Sequence, residues 1–193
     1  MSRRIALALV VFLLTGAARS EEEIHTALAH PIYRGVYVCT EHWAGQLKAL
    51  GDALGSDCIV QRLVEVKGRT WLRAHEGDGR RNADWFGWQR DVLSPCTCEV
   101  TQVHINPVVN QPGIMGQGRA SSVILKREDG VMFVLAHIDK PKVQAGDQVV
   151  AGQALAQVGN NGYSRSPHIH IAAWQGKEPL QIRFDQNKMT DQP

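Results

Sequence analysis

The chain opens Met1-Ser2-Arg3-Arg4, runs apolar without a break from Ile5 to Leu14, and leaves through small residues towards Ser20. A short basic start, an apolar stretch of about ten residues and a small-residue exit predict a secretory signal peptide over residues 1–20. The run is too short for a transmembrane helix, which needs about 20 residues, so no stable membrane insertion is expected once it is removed. A small α/β region is expected over residues 21–68. Gly35 to Cys39 reads as a strand, and Thr40 then caps a helix whose Trp43, Leu47, Leu50 and Leu54 share one face until Gly55. Ile59 to Val66 and Thr70 to Ala74 read as two strands joined around Lys67-Gly68-Arg69.

Further along, the pattern is all strand. Val100 to Ile105 alternates and stops at Asn106-Pro107, and a loop rich in Asn, Gln, Pro and Gly continues to Gly118. Ser122 to Lys126 and Val131 to His137 flank Glu128-Asp129-Gly130 as a hairpin. Pro167 to Trp174 and Leu180 to Phe184 flank a turn at Gly176, and the polar residues 185–193 read as a loose tail. Short antiparallel strands at this spacing predict a mainly β fold, an open barrel or sandwich over residues 69–184.

Composition sharpens the class. Of 193 residues, 44% are hydrophobic and 21% charged, which excludes wholesale disorder. The formal charge of +2 gives no reason to expect a nucleic-acid partner. Even that excess disappears with the signal peptide, because Arg3, Arg4 and Arg19 leave with it. Export, to a periplasmic or extracellular location, makes disulfides the default for Cys39, Cys58, Cys96 and Cys98. Three pairings are open to four cysteines. A four-thiolate zinc site is disfavoured because no C-x2-C pair occurs.

The chemistry concentrates in the histidines. Pro167-His168-Ile169-His170-Ile171 places two imidazoles on one strand face while both isoleucines face the core. Two imidazoles side by side suit a metal and an acid/base partner. His137 ends a strand whose same-face positions Val131, Phe133 and Leu135 are apolar. There is no G-x-G-x-x-G, Walker-type loop, H-E-x-x-H helix or G-x-S-x-G elbow.

The succession Ala136-His137-Ile138, Gly146-Asp147-Gln148-Val149, Gly152-Gln153, Gly159-Asn160-Asn161-Gly162 and Pro167-His168-Ile169-His170 resembles the lysostaphin/LytM-type zinc metallopeptidases. The resemblance covers about 100 residues, from the Asp84 region to Trp174, and linked motifs in order make it specific. It implies hydrolysis of peptide bonds in bacterial peptidoglycan by one Zn2+ held by two His and one Asp. On this resemblance His170 is a zinc ligand, and His137 and His168 are the catalytic pair. One would act as general base on a zinc-activated water, and the other would stabilise the oxyanion or protonate the leaving amine. The family places its remaining ligands as H-x3-D ahead of a Gly-x-x-Val-x-Ala-Pro segment. Asp84, followed by Gly87 to Pro95, matches the aspartate, but Arg80 stands where the histidine belongs. The nearest substitute is His75, so the expected metal set is His75, Asp84 and His170. The departure at Arg80 keeps an alternative in view: a degenerate domain that binds cell wall or activates a partner cell-wall hydrolase. A lipoyl-type carrier, with similar Gly-spaced hairpins, is disfavoured because the Asn160-Asn161-Gly162 turn lacks a lysine. The long Asn106–Gly118 loop is expected to wall a substrate groove, with Tyr163 and Ser164 near the substrate.

Overall fold

The computed structural model describes residues 23–189; the signal-peptide expectation and the end of the tail lie outside them. Among the described residues, fourteen strands follow one another. They are β1 (Thr26–Ala29), β2 (Tyr37–Glu41), β3 (Ser56–Val60), β4 (Arg62–Val66), β5 (Arg69–Arg73), β6 (Asp91–Leu93) and β7 (Cys98–His104). Next come β8 (Ser122–Arg127), β9 (Met132–Ala136), β10 (Ile138–Asp139), β11 (Gln148–Val149), β12 (Ala154–Val158), β13 (Ile169–Gln175) and β14 (Glu178–Phe184). Among the described residues, helix is confined to short 3-10 turns at Asn82–Asp84 and Gln186–Lys188. The expectation of a mainly β fold holds.

The main sheet has nine strands, ordered β1-β14-β13-β9-β8-β7-β11, with β3 added beside β13 and β2 beside β3. A second sheet orders β10-β12-β6, and β4 and β5 pair only with each other. The strands β1, β2 and β3, which precede residue 68, therefore join the main sheet. Strand β13 is the pivot. One edge pairs with β9; the other pairs with β3 over Ile169–Ile171 and with β14 over Ala173–Gln175.

Alternation gives the main sheet two different faces. Ile169, Ile171, Cys58, Val123, Leu125, Phe133 and Leu135 are fully buried and form the core with Val92, Val100, Ile138, Leu155 and Val158 of neighbouring elements. The opposite face carries Thr40, Asp57, His170, Ala136 and Ser122 as one row of cross-strand partners, and these line an open cleft.

The expected helix after Thr40 is replaced by successive turns over residues 44–54. Gly45, Gly51 and Leu54 all take positive φ (83°, 94° and 55°), which a right-handed helix excludes. Most of the apolar face that spaced like a helix stays exposed, with Trp43 and Leu50 at 71% and 44%, and only Leu54 of the four is buried. An isolated helix of that length is marginal without packing.

Two disulfides are present. Cys39 and Cys58 are direct cross-strand partners on β2 and β3 and are bonded, and Cys96 is bonded to Cys98.

Candidate metal centre

Cross-strand pairing sets Asp57 directly opposite His170. His170 Nδ1 lies 3.0 Å from Asp57 Oδ1, and His42, immediately beyond the end of β2, brings Nε2 to 3.6 Å from Asp57 Oδ2. The His42 and His170 rings stack with centroids 5.3 Å apart. Among the described residues, His42, Asp57 and His170 are the group able to hold a metal ion, with one donor atom of each within 4.8 Å of the others. Two imidazoles and a carboxylate form the donor chemistry of a catalytic zinc site. Ligands at about 2.0–2.2 Å from a tetrahedral zinc stand about 3.3–3.5 Å from each other, and three donor atoms within 4.8 Å of one another reach that spacing with modest adjustments.

Protonation tells the same story. His170 Nε2–H donates to the Gly51 carbonyl at 2.7 Å while Nδ1 faces Asp57. Burial disfavours the imidazolium, but the Asp57 hydrogen bond, the Gly51 carbonyl and the nearby Asp57 and Asp52 charges outweigh it and raise the His170 pKa. Burial likewise disfavours ionised Asp57, yet the hydrogen bond from His170 and the neighbouring His168, His170 and His42 hold its pKa down at about 2. The Gly51 carbonyl fixes which ring nitrogen faces Asp57. His42 is oriented in the same manner, its Nδ1 bonding the Asp52 carbonyl at 3.0 Å.

The two histidines expected to be catalytic stand beside this group. His137 and His168 rings are 4.6 Å apart. His137 Nδ1–H donates to the Asn161 carbonyl at 2.8 Å, and His168 Nδ1–H to the Ser166 carbonyl at 2.8 Å. A carbonyl only accepts, so in each neutral ring Nε2 is the basic nitrogen. His168 Nε2 lies 3.7 Å from Asp57 Oδ1 and therefore faces the metal-binding group. Burial, followed by the neighbouring His168, lowers the His137 pKa to about 3; burial also lowers that of His168.

Strand alternation alone would leave His137 on the core face with Phe133 and Leu135. Its φ of 65° breaks the alternation where the chain passes from β9 to β10, and the ring reaches the cleft instead. Such a left-handed conformation is uncommon for a non-glycine residue and is held here by neighbours on both sides. Gly159 N donates to the His137 carbonyl, and the Asn161 side chain bridges Ser121 N and the Ile138 carbonyl.

The structure brings His170 together with His42 and Asp57 rather than with His75 and Asp84. Asp84 is occupied by Arg81, whose Nη2 is 2.7 Å away, and the hydrogen bonds from Arg81 lower its pKa. His75 packs against Trp85, ring centroids 5.0 Å apart, and its Nδ1 turns to the Glu76 carbonyl at 3.2 Å. The Asn82–Asp84 turn has a bracing part instead: Asn160 Nδ2 donates to Asn82 Oδ1, and Asn82 Nδ2 to the Asn110 carbonyl.

Around the group runs a cleft of about 890 Å³, lined in part by Leu47 and Leu50 on one side and by Met115, Gly118 and Tyr163 on the other. The Asn106–Gly118 loop and Tyr163 thus lie where the sequence placed them.

Residues 90–182 match the model of peptidase family M23. Over this segment, just under half of the chain, the sequence is similar to peptidase family M23. The M23 fold is shared with a single-site mutant of the catalytic domain of the prophage-encoded M23 protein EnpA from Enterococcus faecalis. That similarity has a TM-score of 0.50 and 17% identity, covering 78% of this chain and 92% of that one. The M23 metalloprotease pseudoalterin, of deep-sea origin, has a TM-score of 0.45 and 14% identity, covering 80% of this chain and 75% of its own. For the catalytic domain of lysostaphin from Staphylococcus simulans the values are 0.38 and 19%, over 52% and 77%. The M23 segment contains His137, His168 and His170, whereas His42 and Asp57 precede it.

Proposed function

We propose that this protein is an exported zinc endopeptidase that cuts peptide bonds in the peptide part of bacterial peptidoglycan. The observation that carries the reading is the union of His42, Asp57 and His170 in one donor group beside two neutral histidines. These three residues would hold the zinc. When bound there, zinc supplies Lewis acidity towards a carbonyl oxygen and makes a water acidic near neutral pH.

The chain's own groups supply the proton transfers. His168 presents Nε2 towards the donor group, so it is placed to take a proton from the attacking water. The Asp57 charge 3.7 Å away stabilises the imidazolium that results, and that proton is then available to the leaving amine. His137, its ring beside that of His168 and its Nδ1–H committed to the Asn161 carbonyl, offers a second neutral Nε2 that is placed to accept a hydrogen bond from the attacking water. The Asn161 and Ser166 carbonyls keep both rings in the required tautomer.

Export is supported by the leader-like residues 1–20 and by two disulfides. Among the described residues no helix is long and apolar enough to cross a membrane. The wall-binding, non-hydrolytic alternative drew on Arg80, and a donor set that includes His42 no longer needs a histidine there. The test is to incubate zinc-loaded protein with purified sacculi and follow new amino groups. Release that is abolished in His168→Ala supports the proposal, and no release from the wild type refutes it.

A further inference from the structure

The two walls of the cleft differ in charge. One wall, formed by the turns after β2, presents Leu47, Leu50 and Asp52, the last with Oδ1 at 3.7 Å from His170 Nε2. The facing wall joins the end of the Asn106–Gly118 loop to the turn before β13. Gly113 N donates to the Arg165 carbonyl at 2.9 Å and Gly116 N to the Ser164 carbonyl at 2.8 Å, while a Cβ on Gly162 would collide with Ala120. This wall carries Arg119 and Arg165, both exposed and both lining the cleft.

Their backbones are fixed and their side chains are not engaged. The Arg119 carbonyl accepts from Asn106 Nδ2 at 2.9 Å. Among the described residues, neither guanidinium has an ion-pair or hydrogen-bond partner. Arg81, Arg127 and Arg183, by contrast, each hold a carboxylate of their own: Asp84, Asp129 and Glu41. The histidines and carboxylates lining the cleft gather near its centre, and Tyr163 is exposed on the rim. His42, His168 and His170 converge on Asp57, Asp52 approaches His170, and His137 packs on His168. The cleft therefore has two unpaired cations on one rim and no carboxylate of its own for them.

We propose that Arg119 and Arg165 are specificity determinants that bind a free carboxylate of the substrate peptide. A guanidinium fork matches a carboxylate bidentately and gives geometric selection as well as attraction. The substrate class is then acidic peptides, a class that includes peptidoglycan stems with unamidated carboxyl groups. This inference rests on the peptidase reading above and narrows its substrate.

The experiment uses the full chain and two probes: a peptidoglycan stem tetrapeptide with its side-chain carboxylates free, and the same peptide with them amidated. Binding is measured by calorimetry and cleavage separately on the zinc-loaded protein. The wild type is expected to bind the free form at least tenfold more tightly. Arg119→Gln/Arg165→Gln is expected to bring the free form down to the affinity of the amidated one, through KM rather than kcat. Equal binding of both peptides by the wild type, no binding of either, or a preference that survives the double substitution would overturn the proposal. Selective binding without cleavage would instead refute the peptidase reading and leave the arginine assignment standing. Cleavage without preference would do the reverse.

Discussion

Asp57 and His170 are direct partners on antiparallel strands β3 and β13, with Oδ1 and Nδ1 3.0 Å apart. Cross-strand partners hold their side chains on the same face about 5 Å apart at Cβ, so the ladder itself presets two of the three donors. Only His42 depends on a loop, and the Asp52 carbonyl fixes its ring.

That close approach has a steric condition at Gly55. A Cβ there would lie 2.8 Å from His170 Cε1 and 3.1 Å from the Ala172 Cβ. Gly55→Ala is expected to cost about 1–3 kcal/mol of stability through overpacking. It should also weaken metal binding by about tenfold or more, because the ring is displaced from the Gly51 carbonyl. Thermal unfolding of the metal-free protein and a metal titration check the two effects separately.

The pair His137 and His168 should govern chemistry without holding the ion. Each substitution to Ala is expected to lower kcat by about 10²–10⁴, while zinc content stays at the wild-type level. Loss of zinc from either variant would move that histidine into the ligand set.

Much of this was legible in the sequence, and the reasons are local. The strand pattern around His168-Ile169-His170 and at Val131 to His137 survives because those segments are short, alternating and centrally paired. The residues that the structure places against His170 were hidden by two insertions. Residues 43–56 separate His42 from Asp57 where the family pattern has three, and the β4–β5 hairpin with the turns after it separates Asp57 from β6. Asp84 consequently stands at the family's distance from the β6 segment, although Arg81 takes its carboxylate. One trace of β3 was present: Ser56 to Val60 alternates between buried and half-buried positions, with Asp57 on the open face. The helix expected after Thr40 failed for the opposite reason, since three of its four periodic positions, Trp43, Leu47 and Leu50, found no surface to pack against.

The metal-free protein should lose stability in acid. His137 has an unfolded pKa of 6.5 and a folded value of about 3. The unfolded chain therefore binds a proton that the folded chain refuses, and stability falls as pH drops from about 6.5 towards 3. One such group contributes a slope of about 1.4 kcal/mol per pH unit. His168, also lowered, adds in the same direction. His170 has a raised pKa, so its contribution is complete below 6.5 and is lost only as pH climbs through its folded value. Urea titrations across this range should show the acid slope, and His137→Ala should reduce it.

The Cys39–Cys58 bond ties the strand leading into His42 to the strand holding Asp57. With a sequence separation of 19, its removal in Cys39→Ser/Cys58→Ser is expected to cost about 3 kcal/mol. Zinc affinity should fall with it, because two of the three donors lose their tether. Denaturant unfolding and metal titration of the double variant test both statements.

The central claim is the identity of the metal ligands, and the zinc content of purified variants tests it most directly. The account predicts that the wild type retains zinc, that His42→Ala and Asp57→Ala purify without it, and that His75→Ala and Asp84→Asn keep the wild-type amount. Retention of zinc by His42→Ala, or its loss from His75→Ala, would contradict the account.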